Sequence, residues 1–253
     1  MMVADTPRSI APPAEEQADW FEHWFGEEYL RLYPHRDETD ASQAIDLVAA
    51  HMAGRRVDAV LDLACGAGRH ARLLCDRWWT VGLDLSSALL RVARRESPDA
   101  PYVRADMREL PFAAESFDLA VNLFTSFGYF EDDLAHAHLL KRVADATRRG
   151  GTFVLDFLNP DEVRTNLIPR DERVVAGSTV EQLRAISTDR KYIEKTIRVR
   201  GKEYLERVRL LSAPELEGML NAAGFDVVAR AGDYTGAPWH ELSPRTILFA
   251  RRR

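Results

Sequence analysis

The sequence has few cysteines, little excess charge and no long apolar run. Its two cysteines, Cys65 and Cys75, form no CxxC pair and have no histidine pair nearby, so we expect no metal site and a reducing compartment. A net charge of −6 gives no general attraction to nucleic acids or anionic membranes. No apolar run approaches the ~20 residues that cross a bilayer, and the start, MMVADTPRSIAPPAEEQ, does not resemble a signal peptide. These absences predict a cytoplasmic protein.

From Val57 onward, short apolar runs alternate with helical patterns. Strands are predicted at residues 59–63, 80–84, 101–104, 117–123, 152–157, 225–231 and 246–251. Helices are predicted at 69–76, 87–95, 132–148 and 214–223. Short apolar strands separated by helices are typical of a parallel sheet buried on both faces. With right-handed crossovers, the pattern predicts an α/β fold with a doubly wound, mostly parallel, Rossmann-like sheet.

Two further segments precede and interrupt this pattern. Residues 1–56 are expected to form a tail and then lid helices, because aromatic residues such as Trp20 and Trp24 recur at helical spacing and 40–53 is amphipathic. Residues from about 160 to 211 contain four runs with alternation of period two. We therefore expect one domain over 57–253 that carries an antiparallel β insertion after its fifth strand.

A glycine-bearing loop follows the first predicted strand, in the stretch VLDLACGAGRHARLL. Ligands of a doubly wound sheet bind beyond the carboxyl ends of its strands, where this loop lies. Gly66 and Gly68 allow positive φ angles and close approach of a ligand, and the next helix adds unpaired N–H groups. A pyrophosphate would be repelled by the carboxylate of Asp62. A zwitterionic amino acid tail, with its ammonium group near Asp62, fits the loop better.

Two more acidic residues follow the next predicted strands. Asp84 ends the second strand in VGLDLS, where an acid commonly accepts both ribose hydroxyls of a nucleotide. Asp106 follows the third strand in RADMREL, where its side chain can accept an adenine amino proton while Met107 packs on the ring. Each acid alone is more often a cap or loop residue. Together with the glycine loop, they favour a cofactor that joins an adenosine to an amino acid.

Five segments resemble the class I S-adenosylmethionine-dependent methyltransferases. LDLACGAGRH matches their first motif, GLDLS the acid of the second strand, and ADMRELPF the adenine-contacting segment. FDLAVNLFTSFGYF matches the fourth-strand segment, and RRGGTFVLDFLNP the turn into the fifth strand. The resemblance covers roughly residues 57–159 and extends to 224–227 and the late hairpin. It implies the methyltransferase fold and S-adenosyl-L-methionine as the cofactor.

The resemblance also implies roles for particular residues. It places Gly66, Gly68 and Arg69 around the methionine moiety, and Asn122 and Leu123 beside the methionine tail and the reacting methyl group. Asp84 would bind the ribose, and the residues after the third strand would bind adenine. The complete cofactor set expected is Asp62, Ala64, Gly66, Gly68, Arg69, Asp84, Leu85, Asp106, Met107, Asn122 and Leu123.

The implied reaction is N- or O-methylation of a small-molecule acceptor by in-line displacement. Orientation in a dry pocket can lower such a barrier by about 7–11 kcal/mol, so no catalytic side chain is compulsory and none is singled out. Acceptor contacts are expected from Tyr33, Arg36, Phe127, Tyr129 and His240. The inserted sheet is expected to wall the acceptor pocket or to form a homodimer contact.

Two other functions stay open on the sequence. An NAD-type oxidoreductase shares the fold, but Asp62 and the Asp106–Met107 pair would then be accidental. A non-catalytic S-adenosylmethionine-binding protein would have the same cofactor site without turnover. Methylation of RNA is disfavoured by the acidic charge and by the lack of an attached RNA-binding module.

Overall fold

The computed structural model describes residues 20–33 and 38–253. The strands in these residues are β1 (Ala59–Leu63), β2 (Trp79–Asp84), β3 (Tyr102–Arg104), β4 (Phe117–Asn122), β5 (Thr147–Leu158), β6 (Arg170–Val175), β7 (Ser178–Ile186), β8 (Tyr192–Val199), β9 (Lys202–Arg209), β10 (Phe225–Ala231) and β11 (Arg245–Arg252). The helices are α1 (Trp20–Trp24), α2 (Glu27–Leu32), α3 (Glu38–Met52), α4 (Arg69–Cys75), α5 (Ser87–Glu96), α6 (Asp133–Ala146), α7 (Pro160–Asn166) and α8 (Ala213–Ala223), with a short 3-10 helix at Ser126–Tyr129. Within the described ranges, no helix combines the length and apolar character of a membrane span.

A seven-stranded sheet forms the centre of the fold, in the order β3-β2-β1-β4-β5-β11-β10. β11 runs antiparallel to both of its neighbours, and the other pairs are parallel. The chain builds outward from β1 to β3 and then crosses to β4 on the other side of β1. Strand order therefore reverses between β1 and β4, which is where such sheets bind ligands. The predicted doubly wound, mostly parallel sheet is confirmed.

The four strands β6 to β9 form a separate antiparallel sheet. Val180, Ile197 and Val199 are buried on one of its faces, as the period-two alternation requires. β9 packs against α1 and against the short 3-10 helix. The predicted β insertion is therefore confirmed, and it lies beside the N-terminal helices.

The structure differs from the sequence prediction around β5. α7 follows this strand, although no helix was predicted there. The N-terminus of α7 has the usual residues of a helix start: the Asn159 side chain caps it by accepting the Asp161 N–H, and Pro160 occupies the first turn. β5 also begins at Thr147 instead of residue 152. The register against β4 shifts between Phe117 and Leu119, which lets pairing continue through the turn.

Gly128 connects the short 3-10 helix to both sheets by close packing. A Cβ at this position would lie 2.7 Å from Val208 Cγ1 and 2.9 Å from the Phe157 ring. We expect Gly128→Ala to destabilise the protein by about 1–3 kcal/mol, because the surrounding core must shift. Urea unfolding curves measure this change in the free energy of unfolding.

The matched control is Gly218→Ala. Gly218 is exposed inside α8, and an added Cβ there meets nothing within 4 Å. Alanine should stabilise this helix by about 0.5–1 kcal/mol. If both substitutions changed the free energy of unfolding in the same direction, the packing argument for Gly128 would be wrong.

Candidate active site

A cleft of about 1360 Å³ opens above the carboxyl ends of β1 to β4. Its floor is the loop after β1 together with the residues that follow β2, β3 and β4, and its cover is α1 and α2. The predicted cofactor residues on this floor are Ala64, Gly66, Gly68, Arg69, Asp84, Leu85, Asp106, Met107 and Leu123. The fold therefore brings most of the predicted cofactor residues to one cleft, with Asp62 and Asn122 lying behind its surface.

The loop between β1 and α4 is left-handed at Ala64 (φ 58°), Gly66 (φ 57°) and Gly68 (φ 80°). A Cβ at Gly68 would lie 2.7 Å from the Tyr102 hydroxyl and 2.9 Å from Ala93 Cβ, so a larger residue does not fit. A Cβ at Gly66 would make one ordinary contact, at 3.8 Å. The loop is therefore tight towards α5 and open towards the cleft.

Asp84 joins the ends of β1 and β2 at the centre of the floor. One carboxylate oxygen accepts the Gly66 N–H at 2.8 Å, and the other accepts the Ser86 N–H at 2.8 Å. Burial raises the pKa of Asp84, and these hydrogen bonds oppose the effect of burial. A carboxylate has about four acceptor positions, so Asp84 can still accept hydrogen bonds from ligand hydroxyls.

Asp62 lies behind the glycine loop and is 1% exposed. Its Oδ2 has no hydrogen-bond partner among the described residues. Burial, with the charge of Asp84 as the second cause, raises the pKa of Asp62 to about 8. A nearby cation would relieve this unfavourable burial. Because Asp62 is not part of the cleft lining, its predicted interaction with a ligand ammonium group would run through water.

The residues predicted to bind adenine, Asp106 and Met107, follow β3, and the predicted cofactor residue Leu85 follows β2. Leu85 and Met107 line the cleft as partly buried apolar side chains. Asp106 accepts the Arg108 N–H at 2.8 Å and the Arg108 guanidinium at 2.6 Å. Burial alone would raise the pKa of Asp106, but the hydrogen bonds and charge of Arg108 lower it below its usual value. Asp106 is therefore an ionised acceptor at neutral pH.

The turn after β4 has a strained backbone at the edge of the cleft. Phe124 (φ 66°) and Thr125 (φ 70°) are both left-handed, which costs on the order of 1–3 kcal/mol for each non-glycine residue. Leu123, Phe124 and Ser126 line the cleft. Strain of this size persists only where surrounding contacts impose it, so the turn has structural support elsewhere in the fold.

Asn122 is fully buried instead of facing the cleft. Its side-chain amide donates to the Leu63 carbonyl at 2.9 Å and to the Ser126 hydroxyl at 3.0 Å. Asn122 thus joins the end of β1 to the turn after β4, its Oδ1 has no hydrogen-bond partner among the described residues, and its contact with the cofactor stays a prediction.

Two of the predicted acceptor contacts also lie outside the cleft lining. Phe127 is fully buried against Phe157, because the short 3-10 helix turns Phe127 inward and Tyr129 towards the cleft. His240 is exposed, and its ring accepts the Leu242 N–H at 3.2 Å. The structure therefore corrects the acceptor roles predicted for Phe127 and His240 and keeps Tyr129 at the cleft.

Aromatic side chains of α1 and its neighbours form the cover of the cleft. Phe21, Phe25 and Tyr29 line it from above, and Tyr129 lines it from the β4 side. The rings of Phe25 and Tyr129 stack with centroids 5.6 Å apart and an interplanar angle of 23°. The cover and the residues after β4 therefore form one continuous aromatic wall.

The β insertion supports the cover from behind. Tyr33 lines the cleft and accepts a hydrogen bond from Lys195 at 2.9 Å, and Trp24 donates its indole N–H to Glu206 at 2.6 Å. Among the described residues, none from β6 to β9 lines the cleft. The expectation that the sheet itself walls the pocket is therefore corrected. Arg36, the other predicted lid residue, lies outside the described residues.

Sequence reasoning assigned no role to His70, which lines the cleft together with Phe124 and Ser126 of the segment expected to border the acceptor. The Arg69 guanidinium lies 4.6 Å from the centre of the Phe124 ring, and the His70 ring lies 6.1 Å from it. These residues sit within or beside the recognised motifs, which is the signal the sequence offers. The directions of their side chains depend on the left-handed residues in the loop after β1 and in the turn after β4.

Residues 60–151 match the family model described as a methyltransferase domain. Over 213 residues the chain is 28% identical to the dTDP-3-amino-3,6-dideoxy-alpha-D-glucopyranose N,N-dimethyltransferase of Streptomyces fradiae, covering 80% of this chain and 81% of that protein. Over 209 residues it is 27% identical to the dTDP-3-amino-3,4,6-trideoxy-alpha-D-glucopyranose N,N-dimethyltransferase of Streptomyces venezuelae, covering 78% and 86%. Together these similarities support S-adenosylmethionine-dependent methyltransferase activity for this chain.

Solved structures share the fold of this methyltransferase. An S-adenosylmethionine-dependent methyltransferase from Clostridium acetobutylicum superimposes with a TM-score of 0.77 at 16% identity, over 89% of this chain and 98% of that chain. The sugar N-methyltransferase KedS8 from a Streptoalloteichus species does so with a TM-score of 0.70 at 24% identity, over 100% and 99%. The shared architecture therefore extends well beyond the segment matched by the family model.

The cleft of the methyltransferase has groups that suit S-adenosylmethionine. Gly66 leaves open space beside the loop, and Asp84 has acceptor capacity for hydroxyls. Asp62 has a buried oxygen without a partner among the described residues, which suits a positively charged tail. Leu85 and Met107 offer apolar surface for a base. The residues present thus fit the cofactor that defines the family.

We expect Asp62→Asn to stabilise the ligand-free methyltransferase, by an amount that grows with pH. Folding raises the pKa of Asp62 from its ordinary value to about 8, so the wild-type protein loses stability as the pH rises between those two values. Asparagine has no charge to bury and avoids this loss. Denaturant unfolding at about pH 5 and about pH 8 measures the difference. With exposed Asp99→Asn as the control, a gain independent of pH would refute the raised pKa.

Proposed function

We propose that this methyltransferase transfers the methyl group of S-adenosylmethionine to an amine nitrogen of a small molecule, with an amino sugar as the acceptor class. The observation that carries the proposal is the covered cleft: α1 and α2 lie over the floor, which suits a small molecule better than an extended chain. The N,N-dimethyltransferases of Streptomyces fradiae and Streptomyces venezuelae, named for amino sugar nucleotides, support nitrogen over oxygen as the acceptor atom.

In this proposal the cofactor lies along the floor of the cleft. S-Adenosylmethionine, when bound, supplies a methyl group activated by a positively charged sulfur. Asp84 would accept hydrogen bonds from the ribose hydroxyls, and Asp106 would accept one from the adenine amino group. Leu85 and Met107 would pack on the base, and Leu123 would border the methionine end.

The chain itself would contribute orientation and exclusion of water. Phe25, Tyr29, Leu123 and Tyr129 all line the cleft, so an acceptor bound there would be held among aromatic rings. Alignment of this kind can lower a barrier by about 7–11 kcal/mol. A neutral amine has a lone pair ready to attack and loses its proton after transfer. The proposal therefore assigns no general base.

We also propose that the enzyme acts in the cytoplasm and does not use nucleic acids as partners. The net charge of −6 supports the second point, and the scarcity of cysteine supports the first. A homodimer contact through the inserted sheet stays a prediction. Its edge strand β6 exposes Val174 to 73%, and the oligomeric state in solution would test the contact.

Asp84→Ala is expected to weaken the affinity for S-adenosylhomocysteine by about 10- to 100-fold, because hydrogen bonds to a charged group contribute about 1.5–3 kcal/mol. Calorimetric titration measures this affinity, with exposed Asp99→Ala as the control. Unchanged affinity would refute the ribose role of Asp84. Binding of NAD alone by the wild-type protein would refute the whole cofactor assignment.

Tyr129→Phe is expected to lower turnover while leaving cofactor affinity unchanged, because Tyr129 lines the cleft, stacks on Phe25 of the cover and is proposed as an acceptor contact. Turnover is measured as S-adenosylhomocysteine release with dTDP-3-amino-3,6-dideoxy-α-D-glucopyranose and a panel of other amines. Loss of cofactor affinity would place Tyr129 on the cofactor instead. Cofactor binding without methylation of any amine or alcohol tested would favour the non-catalytic alternative.

A further inference from the structure

Three polar side chains form a cluster behind the turn that follows β4. Asp156 is fully buried in β5. Its Oδ2 accepts the Tyr234 hydroxyl at 2.7 Å, and its Oδ1 accepts Arg245 Nε at 2.8 Å. We term these three residues the turn clamp. A buried carboxylate that is paired and hydrogen-bonded in this way is rigidly held.

The turn clamp contacts the backbone of both left-handed residues. Oδ2 of Asp156 accepts the Phe124 N–H at 2.8 Å, and the Asp156 carbonyl accepts the Thr125 N–H at 3.2 Å. Arg245 donates to the Thr125 hydroxyl at 2.9 Å. A phenylalanine and a β-branched threonine rarely adopt positive φ angles. The clamp therefore supplies the support that the strained turn requires.

The conformation of this turn decides what the cleft presents beside β4. Leu123, Phe124 and Ser126 line the cleft there. The centre of the Phe124 ring lies 4.6 Å from the guanidinium of Arg69, and Arg69 also lines the cleft. Asp84 stands at the end of β2, on the far side of β1 from β4. The clamp thus supports the β4 side of the cleft, apart from the proposed ribose site.

We propose that Asp156, held by Tyr234 and Arg245, is the positioning residue for the acceptor side of the cleft. It fixes the left-handed turn and thereby places the Phe124 ring as a wall for the acceptor. The inference rests on the proposed function for the identity of the acceptor. Asp156 is fully buried and lies outside the cleft lining, so it acts through the turn.

The first test uses two variants of the full chain and needs no acceptor. Asp156→Asn cannot pair with Arg245 as a carboxylate, and Tyr234→Phe removes the hydroxyl that donates to Asp156. Amide hydrogen exchange, followed by mass spectrometry, reports on peptides covering residues 123–126. We expect exchange there to accelerate by about tenfold or more in Asp156→Asn and by less in Tyr234→Phe. Affinity for S-adenosylhomocysteine should fall by less than about tenfold, because the turn borders the proposed methionine end only through Leu123 and lies apart from the proposed ribose site.

The matched control is Tyr192→Phe. The Tyr192 hydroxyl donates to the Glu131 carbonyl at 2.5 Å, away from the clamp. Its loss should leave exchange at 123–126 unchanged. Unaltered exchange in Asp156→Asn would overturn the proposal, and so would a loss of S-adenosylhomocysteine affinity of about tenfold or more, because the clamp would then serve the cofactor site.

A rescue experiment separates positioning from general stability. Thr125→Gly lets residue 125 adopt the left-handed conformation without steric cost. With an amine that the wild-type enzyme methylates, Asp156→Asn should lower kcat/KM by about tenfold or more. The double variant that also carries Thr125→Gly should recover part of the lost kcat/KM. Failure of this rescue would overturn the positioning role. If the wild-type enzyme methylates no amine, the proposed acceptor is wrong, and the exchange and affinity results still decide the clamp.

Discussion

The hydrogen bond from the Gly66 N–H to Asp84 ties together the two strand ends on which the cofactor side of the cleft depends. It requires the loop after β1 to turn back towards β2, which the left-handed residues of that loop make possible. The same turn packs Gly68 against Tyr102 beyond β2. The left-handed backbone of the loop after β1 thus determines where α4 begins, how closely α5 packs against the loop and where a ligand would contact the floor.

The cover and the β4 side of the cleft depend on contacts between residues that are far apart along the chain. The aromatic cover rests on the inserted sheet through Tyr33 with Lys195 and through Trp24 with Glu206. The turn after β4 rests on Asp156. The insertion therefore influences the cleft although its described residues do not line it.

Two kinds of local free-energy cost lie beside the cleft. Asp62 is buried near a second carboxylate with its pKa raised to about 8, and Phe124 and Thr125 hold strained backbone angles. Neither feature stabilises the protein by itself. Both lie where the proposed ligands would bind: a cationic tail would offset the burial of Asp62, and the strained turn, held by Asp156, lines the proposed acceptor space.

The sequence by itself determined the alternating elements and predicted most of the residues that line the floor of the cleft, including Asp84 and Asp106. These follow from short-range patterns, since a strand end, a glycine loop and the acid beside them are close along the chain. The tertiary structure alone decided that Tyr129 lines the cleft while Phe127 is buried, that His240 lies outside it, and that the inserted sheet supports the cover. The physical reason is that side-chain directions in irregular turns are imposed by distant partners, as Asp156 imposes that of Phe124 from 32 residues away.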